Sequence, residues 1–158
     1  LFGGRQEFTL RPGTENVPGI VGFAKALAIV SSERESEVKR LTGLRDYFIK
    51  KILNEIPNAE LNGDAERRIA NNVNISFPGT ESDWIILQLD AAGIAVGSKS
   101  ACLFGDGSGS YVISALGKSV AYAKSSVRFT LGRGTVKKDI EYTIRTLKKL
   151  YLTKETGK

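Results

Sequence analysis

Asn72-Val73-Asn74-Ile75-Ser76-Phe77-Pro78-Gly79 is the stretch on which the fold turns. Polar and apolar residues alternate along it, and two of the apolar ones are β-branched. A two-residue period predicts a half-buried strand, which Pro78-Gly79 ends. Ser126-Val127-Arg128-Phe129-Thr130-Leu131 repeats the alternation and predicts a second strand. Between and around them the period lengthens. Upstream, Ile20, Phe23, Ala24, Leu27 and Ala28, then Val38, Leu41, Phe48, Ile49, Ile52, Leu53 and Ile56, recur at helical spacing until Pro57 stops the helix. Ser31-Ser32-Glu33-Arg34-Glu35 reads either as an exposed turn of one long helix or as a short break.

The smaller elements follow from their punctuation. Residues 1–19 carry two prolines and nearby glycines and read as a loop. Ala59–Asp64 reads as a short strand ending in a turn, and Ile94-Ala95-Val96 as another short strand. Ser82 and Asp83 are N-cap candidates for a helix that Gly93 terminates. Tyr111–Leu116 is a short helix ended by Gly117, and Thr135 is expected to cap a last helix burying Ile140, Ile144, Leu147 and Leu150. The last helix carries Asp139 and Glu141 near its start and Lys148 and Lys149 near its end, as its dipole favours. The fold class is therefore α/β, an α+β sandwich: three or four short strands, mainly antiparallel, packed against helices.

Composition narrows the chemistry. The 158 residues suffice for a core of their own, and the 41% hydrophobic content is ordinary for a globular chain. No apolar run approaches the roughly 20 residues that cross a bilayer. The net charge of +6 comes from scattered residues. Its densest cluster, Arg145 to Lys149, lies on the last helix and reads as a solvated face, so neither a nucleic-acid nor a membrane partner is expected. The chain opens on Leu1, holds no Met, and reads as a piece of something longer. It has no histidine, so a Ser-His-Asp triad, a Cys-His dyad and a His-bearing zinc site are excluded within it.

The single cysteine, Cys102, falls in Ser98-Lys99-Ser100-Ala101-Cys102, at the head of a Gly/Ser loop running to Ser110. Buried structural cysteines usually sit among apolar neighbours. Cys102 has small and polar ones, with Lys99 close by to favour the thiolate. A functional thiol and an incidental surface cysteine both fit that pattern. Gly105–Ser110 lacks the Gly-Lys-Ser/Thr ending of a phosphate-binding P-loop and reads as a hinge after the cysteine.

Four blocks carry a resemblance. Gly3–Pro18 (GGRQEFTLRPGTENVP) resembles the segment GGGQERGLRSGTENVP of cysteine desulfurases, which are fold-type I pyridoxal-phosphate (PLP) enzymes. Ser98–Cys102 resembles their SGSAC, Gly109–Gly117 their PSYVLRALG, and Ser125–Gly132 their SSIRFSLG. The blocks come in family order at family spacing and span nearly the whole chain. Among the departures, Arg5, Thr9 and Lys99 stand where the family has glycine, Leu103 where it has threonine, and Gly107-Ser108-Gly109 where it usually carries Glu-Pro.

The resemblance implies a small C-terminal domain, residues 20–158, joined through 1–19 to a larger PLP-binding domain before residue 1. That larger domain would hold the cofactor's lysine, its stacking histidine and its aspartate. Cys102 matches the nucleophile that takes sulfur from L-cysteine, leaving L-alanine and an enzyme persulfide. Arg128 matches the arginine that pairs with the substrate α-carboxylate; read by itself it is an ordinary exposed strand residue. Thr14 matches the threonine that reaches the PLP phosphate of the other subunit of a homodimer, and Arg11 is expected to order that loop. Lys99 matches a glycine and is not a cofactor lysine. The implied partners are L-cysteine and a sulfur-acceptor or scaffold protein, in iron–sulfur cluster assembly or tRNA thiolation, in the cytoplasm. The alternatives are a selenocysteine lyase and a non-catalytic domain that binds a sulfur acceptor or dimerises.

Overall fold

The computed structural model describes residues 2–99 and 109–156, with side chains through residue 151. The chain divides into two compact units, Leu1–Ser36 and Glu37–Lys158.

In the first unit a 3-10 turn, Glu7–Thr9, precedes helix α1. Thr9 has φ 68°, a left-handed conformation that glycine adopts at no steric cost. Arg11 orders the loop, as expected: its Nη1 donates to the carbonyls of Gly13 (2.9 Å) and Thr14 (3.4 Å). Helix α1 spans Val17–Glu55 and so begins before Ile20, the first residue expected in it. Asn16 explains the early start, because its Oδ1 accepts the Gly19 N–H (3.1 Å), while Pro18 falls in the first turn, where no N–H is needed. The helix runs unbroken through Ser31–Glu35. Ser32 Oγ turns back onto the Ile29 carbonyl (2.9 Å) and does not interrupt the backbone ladder. Within this unit Ile20, Phe23 and Leu27 have the helical period but are exposed.

In the second unit the rest of α1 lays Phe48, Ile49 and Ile52 on a three-stranded antiparallel sheet of order β1-β2-β3. The strands are β1 Glu60–Leu61, β2 Asn72–Ser76 and β3 Ser126–Thr130. Both alternating stretches are thus strands, and they pair with each other, Val73 opposite Phe129 and Ile75 opposite Val127. Those four face the core, each at most 3% exposed. Helices α2 (Ser82–Ala91) and α5 (Lys137–Thr156) add Ile85, Leu89, Ile140, Ile144 and Leu147. Burying one such side chain fully is worth about 1.5–3 kcal/mol. Short helices α3 (Tyr111–Ala115) and α4 (Val120–Lys124) lead into β3.

Four local expectations change. Ile94-Ala95-Val96 forms no strand; only the next residue, Gly97, bridges to Arg128. The N-cap of α2 is Glu81, one residue before the expected pair, and no side chain closes it. Thr135 does not cap α5. Its Oγ1 accepts the Gly132 N–H (2.9 Å), and Asp139 reaches back to the Val136 N–H (2.9 Å), the reciprocal half of a capping box. Helix α4 was not expected; its five residues carry too little periodicity to announce a helix.

Candidate functional site

The side of the sheet away from the core is polar, and its register places four residues in one transverse row. Asn62, just past β1, receives its place from the Asn62 N–H bond to the Asn74 carbonyl (2.9 Å). Asn74 is the cross-strand partner of Arg128, and Arg128 is bridged to Gly97. The row therefore reads Asn62, Asn74, Arg128, Gly97. Directly opposed residues in an antiparallel pair have Cβ atoms about 4.5–5.5 Å apart, so Asn74 and Arg128 present their side chains side by side.

Gly97 makes room for the arginine. A Cβ at Gly97 would lie 3.1 Å from Arg128 Nη2 and 3.7 Å from Cζ. The guanidinium thus lies over the backbone of Gly97, where a side chain would crowd it. Arg128 is exposed on the strand, and its guanidinium has no hydrogen bond or ion pair within the described residues. An unengaged planar fork of donors suits a carboxylate or phosphate.

Around the row lies a pocket of about 220 Å³. Arg128, Asn74 and Asn62 line it, with Arg68 at one side and Ser98, Lys99 and Ser110 at another. Arg68 donates from Nη2 to the Asn62 carbonyl (2.6 Å). Burial, and then the nearby charge of Arg45, push the Arg68 guanidinium below its ordinary pKa, against Asp64 and Asp46. Among the described residues the walls carry Arg68, Lys99 and Arg128 and no carboxylate. That described lining suits an anion.

Cys102 lies outside the described residues. The chain on either side of it is placed, however: Ser98, Lys99 and Ser110 are all buried on the pocket wall. Thr14 belongs to the first unit, is exposed, and has its carbonyl held by Arg11.

Residues 5–143 match the aminotransferase class-V family. The chain belongs to that family. Class-V relatives with similar sequences include the cysteine desulfurase IscS of Dictyoglomus turgidum, 42% identical over 95% of this chain and 38% of that protein. The cysteine desulfurase IscS 1 of Archaeoglobus fulgidus is 41% identical over 93% of this chain and 38% of its own length. The structure of a NifS-like protein from Rickettsia africae covers 96% of this chain and 39% of its own, with 29% identity and a TM-score of 0.79. The chain thus spans about two-fifths of the relatives it matches. The class-V match agrees with the fold expected from the sequence, a small antiparallel sheet with helices.

The donor set fits part of what a class-V cofactor site needs. Arg128 suits an anionic group, and the exposed Thr14 could donate to a phosphate. Among its described lining residues the pocket holds no carboxylate to face a pyridine nitrogen. Sequence reasoning singled out Arg128 but missed Asn62, Asn74, Arg68 and Gly97. The alternation of 72–77 does put Asn72 and Asn74 on the polar face; what it lacks is the pairing that sets Asn74 beside Arg128.

Proposed function

We propose that this chain is the small-domain part, residues 20–158 with the connecting segment 1–19, of a PLP-dependent cysteine desulfurase. The observation that carries the reading is the placement of Arg128. Its guanidinium, unengaged among the described residues, shares a pocket whose described charged lining is all cationic with both ends of the segment that bears Cys102. Desulfuration needs that pairing: an anchor for the amino acid's α-carboxylate and a thiol within reach of its sulfur.

In this reading Arg128 grips the α-carboxylate of L-cysteine through two parallel N–H donors, which anchors that end of the substrate. The cationic walls favour the Cys102 thiolate over the thiol. The thiolate attacks the substrate sulfur; an S–S bond forms and the C–S bond breaks. PLP, when bound, supplies an electron sink for the pair left on carbon. Protonation of that carbon completes L-alanine, and one sulfur atom remains on Cys102 as a persulfide. Thr14 donates its hydroxyl to the PLP phosphate of a partner subunit in a homodimer. The ring's lysine, histidine and aspartate come from sequence beyond this stretch. The persulfide passes to an acceptor or scaffold protein, in iron–sulfur cluster assembly or tRNA thiolation, in the cytoplasm. The names of the IscS relatives support the first of these two pathways.

The test is a comparison of wild type with Arg128→Gln in the PLP-loaded full-length protein. The expected result is a rise in KM for L-cysteine of roughly 30-fold or more, the loss of about 2 kcal/mol or more for a charge-assisted bidentate contact. An unchanged KM would refute the anchor. Turnover of L-selenocysteine alone, with none of L-cysteine, would favour a selenocysteine lyase.

A further inference from the structure

The row beside Arg128 contains a chain of hydrogen bonds whose direction is fixed from one end. The Ser76 hydroxyl has one proton, and it goes to the Tyr122 carbonyl (2.9 Å). Ser76 Oγ must therefore accept from its other neighbour, the Nδ2 of Asn62 at 2.8 Å. That contact orients the buried Asn62 amide, 2% exposed, and sends its second N–H to Asn74 at 2.8 Å. Asn74 must meet that donor with its oxygen. Its own NH2 is then left over, and it has no partner within the described residues.

This leftover donor has a particular place. Asn74 is half-buried, lines the anion pocket, and stands opposite Arg128 in the register. The backbone carbonyl of Asn62 is itself held by Arg68, so the amide pair is fixed at its far end as well. A donor held in orientation by a buried network costs little entropy to use.

We propose that Asn74 is a second donor to the carboxylate held by Arg128, and that Asn62 is the positioning residue that turns the Asn74 NH2 toward the pocket. The inference rests on the reading of Arg128 as the carboxylate anchor. With Arg128 alone a carboxylate held by two parallel N–H donors can still tilt out of the plane of the guanidinium. An amide donor from the next strand removes that freedom and fixes where the substrate sulfur points.

Two variants and a control test it in the PLP-loaded full-length protein. Asn74→Asp keeps the size and the acceptor that Asn62 needs but replaces the donor by a carboxylate oxygen beside Arg128. Asn74→Leu removes both polar ends. For Asn74→Asp the KM for L-cysteine should rise at least 10-fold with kcat changed less than threefold; for Asn74→Leu the rise should be about fivefold. A second readout needs no turnover: in the 158-residue chain titrated with sodium acetate, the Asn74 side-chain NH2 and Arg128 Nε–Hε NMR signals should move together with one apparent Kd. The inference is overturned if Arg128→Gln raises KM while both Asn74 variants leave it unchanged, or if acetate moves the Arg128 signal and not that of Asn74. If Arg128→Gln itself leaves KM unchanged and acetate moves neither signal, the anchor reading fails first. A purely structural role for Asn74 would instead lower the unfolding temperature and kcat and leave KM alone, which also overturns it.

Discussion

Gly97→Ala should separate stability from binding in opposite directions. The backbone at Gly97 is one that alanine adopts without strain, because it has no positive φ. Replacing glycine at such a position stabilises by about 0.4–1 kcal/mol through the unfolded chain. In a chain of 158 residues that is a rise of roughly 1–4 °C in unfolding temperature. The same methyl would sit 3.1 Å from Arg128 Nη2, closer than ordinary carbon–nitrogen contact, so the guanidinium must move by a few tenths of an ångström. The guanidinium ends a flexible side chain and can yield cheaply, so the shift should cost little folding energy. It should misalign the fork against a carboxylate. Losing part of a charge-assisted hydrogen bond, about 1 kcal/mol, weakens binding roughly fivefold. The assay pairs thermal unfolding with the acetate Kd read from the Arg128 Nε–Hε signal. A variant equally or more stable that binds several-fold more weakly is the expected outcome. Unchanged affinity would refute the close packing of the guanidinium on Gly97, and a large loss of stability would refute the claim that the arginine can yield.

Other perturbations probe the frame. Ile75, fully buried in the central strand between Leu61 and Val127, should cost about 2–5 kcal/mol as Ile75→Ala, read by urea unfolding. Arg40 donates to the carbonyls of Thr135 (2.7 Å), Gly132 (3.1 Å) and Arg133 (3.2 Å), so Arg40→Gln should speed amide hydrogen exchange at Gly132 and Thr135 without altering protection of β2. Glu55 lies between Lys51 (2.7 Å) and Lys148 (3.0 Å), whose hydrogen bonds hold its carboxyl below the ordinary value of 4.5. A depressed folded-state pKa gives stability that is present above that ordinary value and lost as pH falls through the depressed one. Glu55→Gln should therefore be less stable than wild type at neutral pH and match it in strong acid; a constant gap across the acid range would contradict the assignment.

The two longer strands were legible because a two-residue period is local: Val73, Ile75, Val127 and Phe129 announce their burial without reference to any other part of the chain. The long helix was legible for the same reason, although its residues left open whether it continues through Ser31–Glu35, where Ser32 Oγ bonds back to the Ile29 carbonyl and the helix runs on. What depends on pairing was not legible. Asn74 becomes a neighbour of Arg128 only when β2 and β3 meet in one register, and Gly97 becomes the arginine's bed only through a single bridge outside any strand. Thr135 misled because its hydroxyl closes the preceding turn while Asp139 does the capping. Ile94-Ala95-Val96 is β-prone in composition, but nothing pairs with it until Gly97. The proposal of Arg128 as carboxylate anchor came from the resemblance; the exposed-strand reading of Arg128 was equally consistent with its residue type and position.

The central step of the proposed reaction is the transfer of sulfur to Cys102 from a substrate anchored at Arg128. The direct measurement is a single turnover of the PLP-loaded full-length protein with L-cysteine, quenched and alkylated, with alanine quantified and the Cys102 peptide weighed by mass spectrometry. The account predicts one alanine released for each Cys102 found carrying one extra sulfur atom, and neither product with Cys102→Ser. Alanine released at the wild-type yield by Cys102→Ser would contradict it.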